Sequence, residues 1–136
     1  MTAELTALVW AALLGLIHIL APAALRTRQY GLTWNAGPRD EAPLDEAMPP
    51  PTPLAGRLGR AQANFFESFP LFAAAVLVIY VADLETETTL LAAWVWLVAR
   101  VAYLPLYAMG VPYVRGVAWA TSIAALLTLL LRPLLA

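Results

Sequence analysis

Three clusters of polar side chains interrupt an otherwise apolar chain. Arg60, Asn64 and Glu67 stand at i, i+4 and i+7, which places them on one face of a helix, with Gln62 off that stripe. Arg100, Tyr103 and Tyr107 follow at i, i+3 and i+7, again one face, and Arg115 and Trp119 form an i, i+4 pair. Ionisable groups within apolar segments are costly, so they face a bundle interior, a partner helix or a water-filled cavity. Two uses are open to them. In the structural one, Arg60 snorkels, Glu67 neutralises Arg100 across two helices and Asn64 bonds between helices. In the other they hold a ligand. For Glu67 and Arg100 both readings stand. For Arg115 with Tyr103 and Tyr107 function is favoured, because no acid in the segment around Arg115 can pair it. His18, alone in an apolar run four residues before Pro22, reads as a packed or carbonyl-bonded histidine.

Composition narrows the chemistry. The 136 residues contain no Cys, which excludes disulfides, thiolate-bound metals and a protein thiol nucleophile, so any thiol must arrive on a substrate. One His and no acidic or His cluster argue against a metal site. A net charge of −1, with eight Arg and no basic tract, argues against nucleic acid as a partner. Hydrophobic residues make up 62% of the chain and charged ones 12%. That leaves too little polar surface for a water-soluble exterior, so lipid must be part of the solvent.

The elements that position the polar clusters are then apolar spans. The first runs over 5–25, about 21 residues and so roughly 31 Å of helix, enough to cross the hydrocarbon core. Glu4 stands where a signal peptide has basic residues, and the run is longer than such a peptide's apolar segment, which predicts a retained span. Arg26 and Arg28 close it. Six prolines between 38 and 53, with Asp40, Glu41, Asp45 and Glu46, mark 26–56 as a Pro-rich aqueous loop that cannot hold one helix through its length. Further spans are predicted at about 57–82, 88–109 and 113–131, separated by the acidic turn Asp83–Glu87 and by Gly110-Val-Pro112. The expectation is one all-α domain over 1–136, an integral membrane four-helix bundle. Short links after the second and third spans give it up-down-up-down topology. Trp10, Trp94 and Trp96 read as lipid-facing or interfacial.

Positive charge flanks the first and third loops, while the second has three acids and no base. The first and third loops are therefore expected in the cytoplasm and both termini outside it. Arg132 opposes this, as one residue at a helix end that can snorkel.

The polar clusters carry a resemblance. The run Arg60-Ala-Gln-Ala-Asn64-Phe-Phe-Glu67-Ser-Phe-Pro70-Leu-Phe72 resembles the second-helix signature of the MAPEG family, the membrane-associated proteins of eicosanoid and glutathione metabolism. So does Ala99-Arg100-Val-Ala-Tyr103-Leu-Pro-Leu-Tyr107, followed at the expected distance by Arg115. The resemblance spans the chain in length, span count and order. It implies a homotrimer of four-helix subunits that holds glutathione, as co-substrate, between neighbours near the cytoplasmic helix ends. By position, Arg60, Asn64, Glu67, Arg100, Tyr103 and Tyr107 match residues that bind glutathione or support its site. Arg115 matches the arginine that stabilises the glutathione thiolate.

The chemistry of those side chains suits that role. Arg forks complement two carboxylates, Glu67 complements an ammonium, and a guanidinium beside a thiol of pKa about 8.5 favours its ionised form. Gln62 and Ala63 depart from the His and Arg of some members, Trp119 from a common Tyr, and Gly116 from the Ser of the prostaglandin-synthase branch. These departures argue against prostaglandin synthase activity. The absence of Lys and the abundance of Ala, Arg and Pro fit a bacterial member, and hence the cell membrane.

The function implied is a membrane-bound glutathione transferase, with peroxidase activity as a second capacity, acting on lipophilic electrophiles. Its partners are then further copies of itself, glutathione, a lipophilic small molecule or lipid, and the surrounding membrane lipid. The alternative is a non-catalytic relative that binds a lipid or another membrane protein, or serves as a subunit of a larger membrane complex, because the fold alone does not decide activity.

Overall fold

A computed structural model describes residues 1–38 and 48–136. The acidic centre of the predicted loop, with Arg39, Asp40, Glu41, Asp45 and Glu46, lies outside the described residues. The described chain is helical without strands: α1 (Ala3–Tyr30), a short α2 (Leu32–Ala36), α3 (Pro53–Val81), α4 (Glu87–Ala108) and α5 (Val114–Leu131). The chain ends in a 3-10 turn, Arg132–Leu134. Four helices are long and apolar enough to cross a membrane: α1, α3, α4, and α5 with the turn that follows it.

Helix ends follow local chemistry. Thr2 caps α1, accepting from the Leu5 amide, and Thr52 caps α3 in the same way, with Pro53 in its first turn, where its missing N–H costs nothing. Thr86 and Thr89 form a reciprocal capping box on α4. Gly31 closes α1 at φ 91°, and Gly110 turns the chain out of α4 at φ 73°, conformations that glycine adopts without strain.

The helices outrun the apolar segments. α1 continues through Arg26 and Arg28 to Tyr30, and α3 begins at Pro53. Arginine ends an apolar run without ending a helix, since it is a good helix former whose head reaches water from the last turns. The segment that follows is tied back on α1. Gln29 Nε2 donates to the Pro50 carbonyl, Tyr30 Oη to that of Pro49, and the Thr52 amide donates to Gln29 Oε1, all within 2.9 Å.

α1 packs chiefly on α3 and α5 chiefly on α4, with α3 and α4 meeting between them. Burial of apolar surface does not drive helices together in lipid, so close packing must. α1 presents Ala7, Ala11 and Gly15 at four-residue intervals, all buried; a Cβ on Gly15 would stand 3.3 Å from the Phe65 ring. That face lets α1 approach an aromatic core. Phe72 and Trp96 stack at 4.0 Å and 4°, and Phe65 stacks on His18 at 4.4 Å and on Phe69 at 5.4 Å. Trp96 is thus not lipid-facing as its sequence suggested: it is fully buried between α3 and α4, whereas Trp10 is exposed. His18 is a core residue, its Nδ1 donating to the Leu14 carbonyl.

Candidate functional site

The site lies where α3, α4 and α5 meet, in the half of the bundle that holds the α4–α5 turn. Arg100 enters it from α4 and is 1% exposed. Its Nη1 donates to Asn64 Oδ1 of α3 at 2.7 Å. Its guanidinium carbon stands 5.6 Å from the Trp96 ring and 5.6 Å from the Tyr103 ring. Its Nε and Nη2 are buried and find no partner among the described residues. A buried guanidinium with one neutral hydrogen-bond partner keeps most of its desolvation cost uncompensated, and so attracts an anion.

From Arg100 the polar contacts run towards the α4–α5 turn. Tyr103 and Tyr107 lie one helical turn apart with ring centroids at 5.4 Å, and the Arg115 guanidinium of α5 sits 4.7 Å from the centre of the Tyr107 ring. Arg115 is half-buried and, among the described residues, bonded to no carboxylate. Tyr113, at φ 56°, turns the chain sharply into α5 two residues before Arg115. Trp119, one turn further along α5, is 41% exposed.

Five of the seven residues singled out from sequence therefore form one connected group: Asn64, Arg100, Tyr103, Tyr107 and Arg115. Arg60 and Glu67 do not join it within a single chain. Both are exposed on α3, and no hydrogen bond or ion pair ties either to the group among the described residues. The partner that Arg100 takes is Asn64 rather than Glu67. Among the described residues no three His, Cys, Asp or Glu side chains gather as a metal would require.

A model of the MAPEG family matches residues 5–135. The chain belongs to the MAPEG family. Neither a curated protein nor a solved structure matches it. MAPEG membership together with four apolar helices makes it a multi-pass membrane protein, and supports a glutathione-transferase-like or related function in the broad sense.

Two features of this MAPEG chain escaped the sequence reading. Gln62 lines a cavity of about 210 Å³ with Ile19, Ala23 and Arg26, between α1, α2 and α3. In the sequence Arg26 reads as the stop of the first span and as part of the positive charge of the first loop. Its spacing from the buried His18 and Pro22, four residues each time, was the available signal that it belongs to the inward face. The second feature is the burial of Trp96, one turn before Arg100 on the same face, where its ring forms part of the guanidinium's surroundings.

Proposed function

We propose that the chain is a glutathione-dependent transferase of the membrane that adds the glutathione thiolate to lipophilic electrophiles. One observation carries the reading: two guanidiniums, Arg100 and Arg115, are linked through Tyr103 and Tyr107 and have no carboxylate partner among the described residues. Glutathione supplies what this arrangement lacks. Its carboxylates complement the open Nε and Nη2 of Arg100 and the exposed fork of Arg60, and its ammonium complements Glu67.

Arg115 is the residue proposed to act on sulfur. A free thiol of pKa about 8.5 is only a few per cent ionised at neutral pH. A guanidinium held beside it stabilises the thiolate, and the Tyr103 or Tyr107 hydroxyl can donate a second hydrogen bond. The thiolate then attacks an electrophilic carbon, forming the C–S bond while the leaving group departs with its electron pair. With a hydroperoxide, the thiolate attacks the terminal oxygen, the O–O bond breaks to release an alcohol, and a second glutathione converts the sulfenic acid to the disulfide and water.

Arg60 and Glu67 lie exposed on a span, where lipid is a poor neighbour for charge. We therefore propose a homotrimer in which adjacent subunits cover this face of α3 and glutathione lies between them. A monodisperse monomer that binds glutathione in native mass spectrometry would refute the intersubunit site. For orientation, the Arg-rich end is proposed to face the cytoplasm and both termini the other side. An impermeant maleimide should then label Thr52→Cys from the cytoplasm and Thr86→Cys from outside.

The deciding experiment is ultraviolet absorbance of the thiolate as glutathione is added, together with conjugation of a chlorinated nitrobenzene. Binding with no thiolate signal at neutral pH would sink the transferase reading in favour of a non-catalytic binding protein.

A further inference from the structure

A second feature lies outside the glutathione site and does not depend on it. Three contiguous cavities follow the seam between α4 and α5. The first, of about 350 Å³, lies between Ala102, Ala118 and Thr121. The next, of about 420 Å³, shares Val95 and Thr121 with it and reaches Thr88 and Thr128. The last, of about 320 Å³, shares Thr88 and Thr128 and ends at Arg132. Together they form one groove. From Ala102 to Thr88 the helix rises about 21 Å. Half of a hydrocarbon core is about 15 Å, so the groove has the length of one well-extended acyl chain reaching past the midplane.

Arg132 lines the mouth of the groove, and the acidic turn that holds Glu85 lies beside it. Arg132 donates its Nε to the Leu84 carbonyl at 3.2 Å, leaving its terminal nitrogens without a bond among the described residues. Glu85 is the next residue, and its Oε1 is buried with no partner among the described residues. Arg132 thus takes a backbone carbonyl and, among the described residues, is not paired with Glu85, at the depth where a span meets lipid headgroups.

We propose that this groove seats one phospholipid with a primary ammonium headgroup, its phosphate on Arg132, its ammonium at Glu85 and one acyl chain along the α4–α5 seam. The guanidinium fork matches phosphate oxygens. The buried Oε1 needs an N–H donor, which a primary ammonium has and a quaternary one lacks. A headgroup with no cation is disfavoured, because Asp83, Glu85 and Glu87 share this end with the single Arg132.

The test is native mass spectrometry of the assembled protein, delipidated and offered an equimolar mixture of ethanolamine, choline and glycerol phospholipids of equal chain length. The ethanolamine lipid should be retained about tenfold over the choline lipid, the difference of one charge-assisted hydrogen bond. Glu85→Gln should erase that preference, and Arg132→Gln should lower retention of all three. Thr121→Phe, at an exposed position in the groove, should lower retention without altering helix content. Equal retention of the three lipids would mean ordinary annular lipid, and preference for the glycerol lipid would mean an anion site; either overturns the proposal. So does an ethanolamine preference that survives both charge substitutions in folded protein. Glutathione binding is not a readout in any arm, so this proposal can fail while the transferase reading stands.

Discussion

Among the described residues, two side-chain hydrogen bonds join one helix to another through a buried charged group, and the two groups are satisfied differently. Towards the end that holds the chain termini, Glu4 of α1 accepts a hydrogen bond from Thr89 of α4 at 2.8 Å, with Glu4 3% and Thr89 0% exposed. The same hydroxyl takes the Thr86 amide of the α4 cap, so a helix start and an interhelical contact share one closed network. In the opposite half, Arg100 meets Asn64 once and leaves two nitrogens unbonded. Burial penalises both charged groups, but only Arg100 keeps buried atoms with no hydrogen-bond partner among the described residues. A completed buried network holds helices together, whereas an incomplete one provides donors for something else. The Glu4–Thr89 pair joins α1 to α4, and on the proposed function the open nitrogens of Arg100 await a ligand.

The contrast sharpens most at Arg115. Arg115→Ala should lower turnover by about 100-fold or more, in the range seen when one electrostatic stabiliser is removed, while glutathione affinity changes much less. Single-turnover conjugation and the ultraviolet thiolate signal measure the two effects separately. Unchanged turnover would remove Arg115 from its role. Lys at this position keeps the charge without the planar fork and should retain partial activity.

Arg100→Gln comes next. The loss of charge-assisted bonds should weaken glutathione binding by about 1.5–3 kcal/mol, or ten- to hundredfold, with a smaller effect on turnover at saturation. Calorimetry checks it. If affinity holds and the thermal midpoint falls instead, Arg100 is a structural group like Glu4 and the contrast collapses.

Thr89→Val tests the Glu4–Thr89 pair from the other side. Leaving the buried Glu4 carboxylate without its donor should cost about 1–2 kcal/mol of stability, with glutathione affinity unchanged. Unfolding in mixed micelles reads the first and a binding titration the second. The smallest effect is expected at Glu67, an exposed charge, where Glu67→Gln should weaken glutathione binding only about two- to fivefold. A hundredfold loss there would mean that a neighbouring subunit buries the residue more deeply than the single chain suggests.

Much of the fold was legible because membrane spans announce themselves by length. Apolar runs of about 20 residues, with Pro and Gly between them, require little tertiary knowledge. The site was legible in part: helical spacing correctly grouped Arg100 with Tyr103 and Tyr107. Spacing along one helix says nothing of the neighbour across the interface, so it could not tell whether Arg100 meets Asn64 or Glu67, three residues apart on α3. Glu4 entered the sequence reading only as an argument against a signal peptide, since its partner Thr89 lies 85 residues away.

What the amino-acid sequence determined alone is the number of spans, their order, their alternating direction and the family whose motifs they carry. Those features follow from hydropathy, turn chemistry and residue identity, each local to the chain. Tertiary structure decided which face of each helix points inward. In water, apolar periodicity reveals that face; in lipid, core and exterior are equally apolar, and the contrast disappears. Trp96 could therefore read as lipid-facing and yet be stacked on Phe72, and Arg26 could read as a stop and yet line a cavity. The rotation of α1 is set where Gly15 meets the Phe65 and Phe66 rings, a fit between distant segments that exists only once the chain is folded.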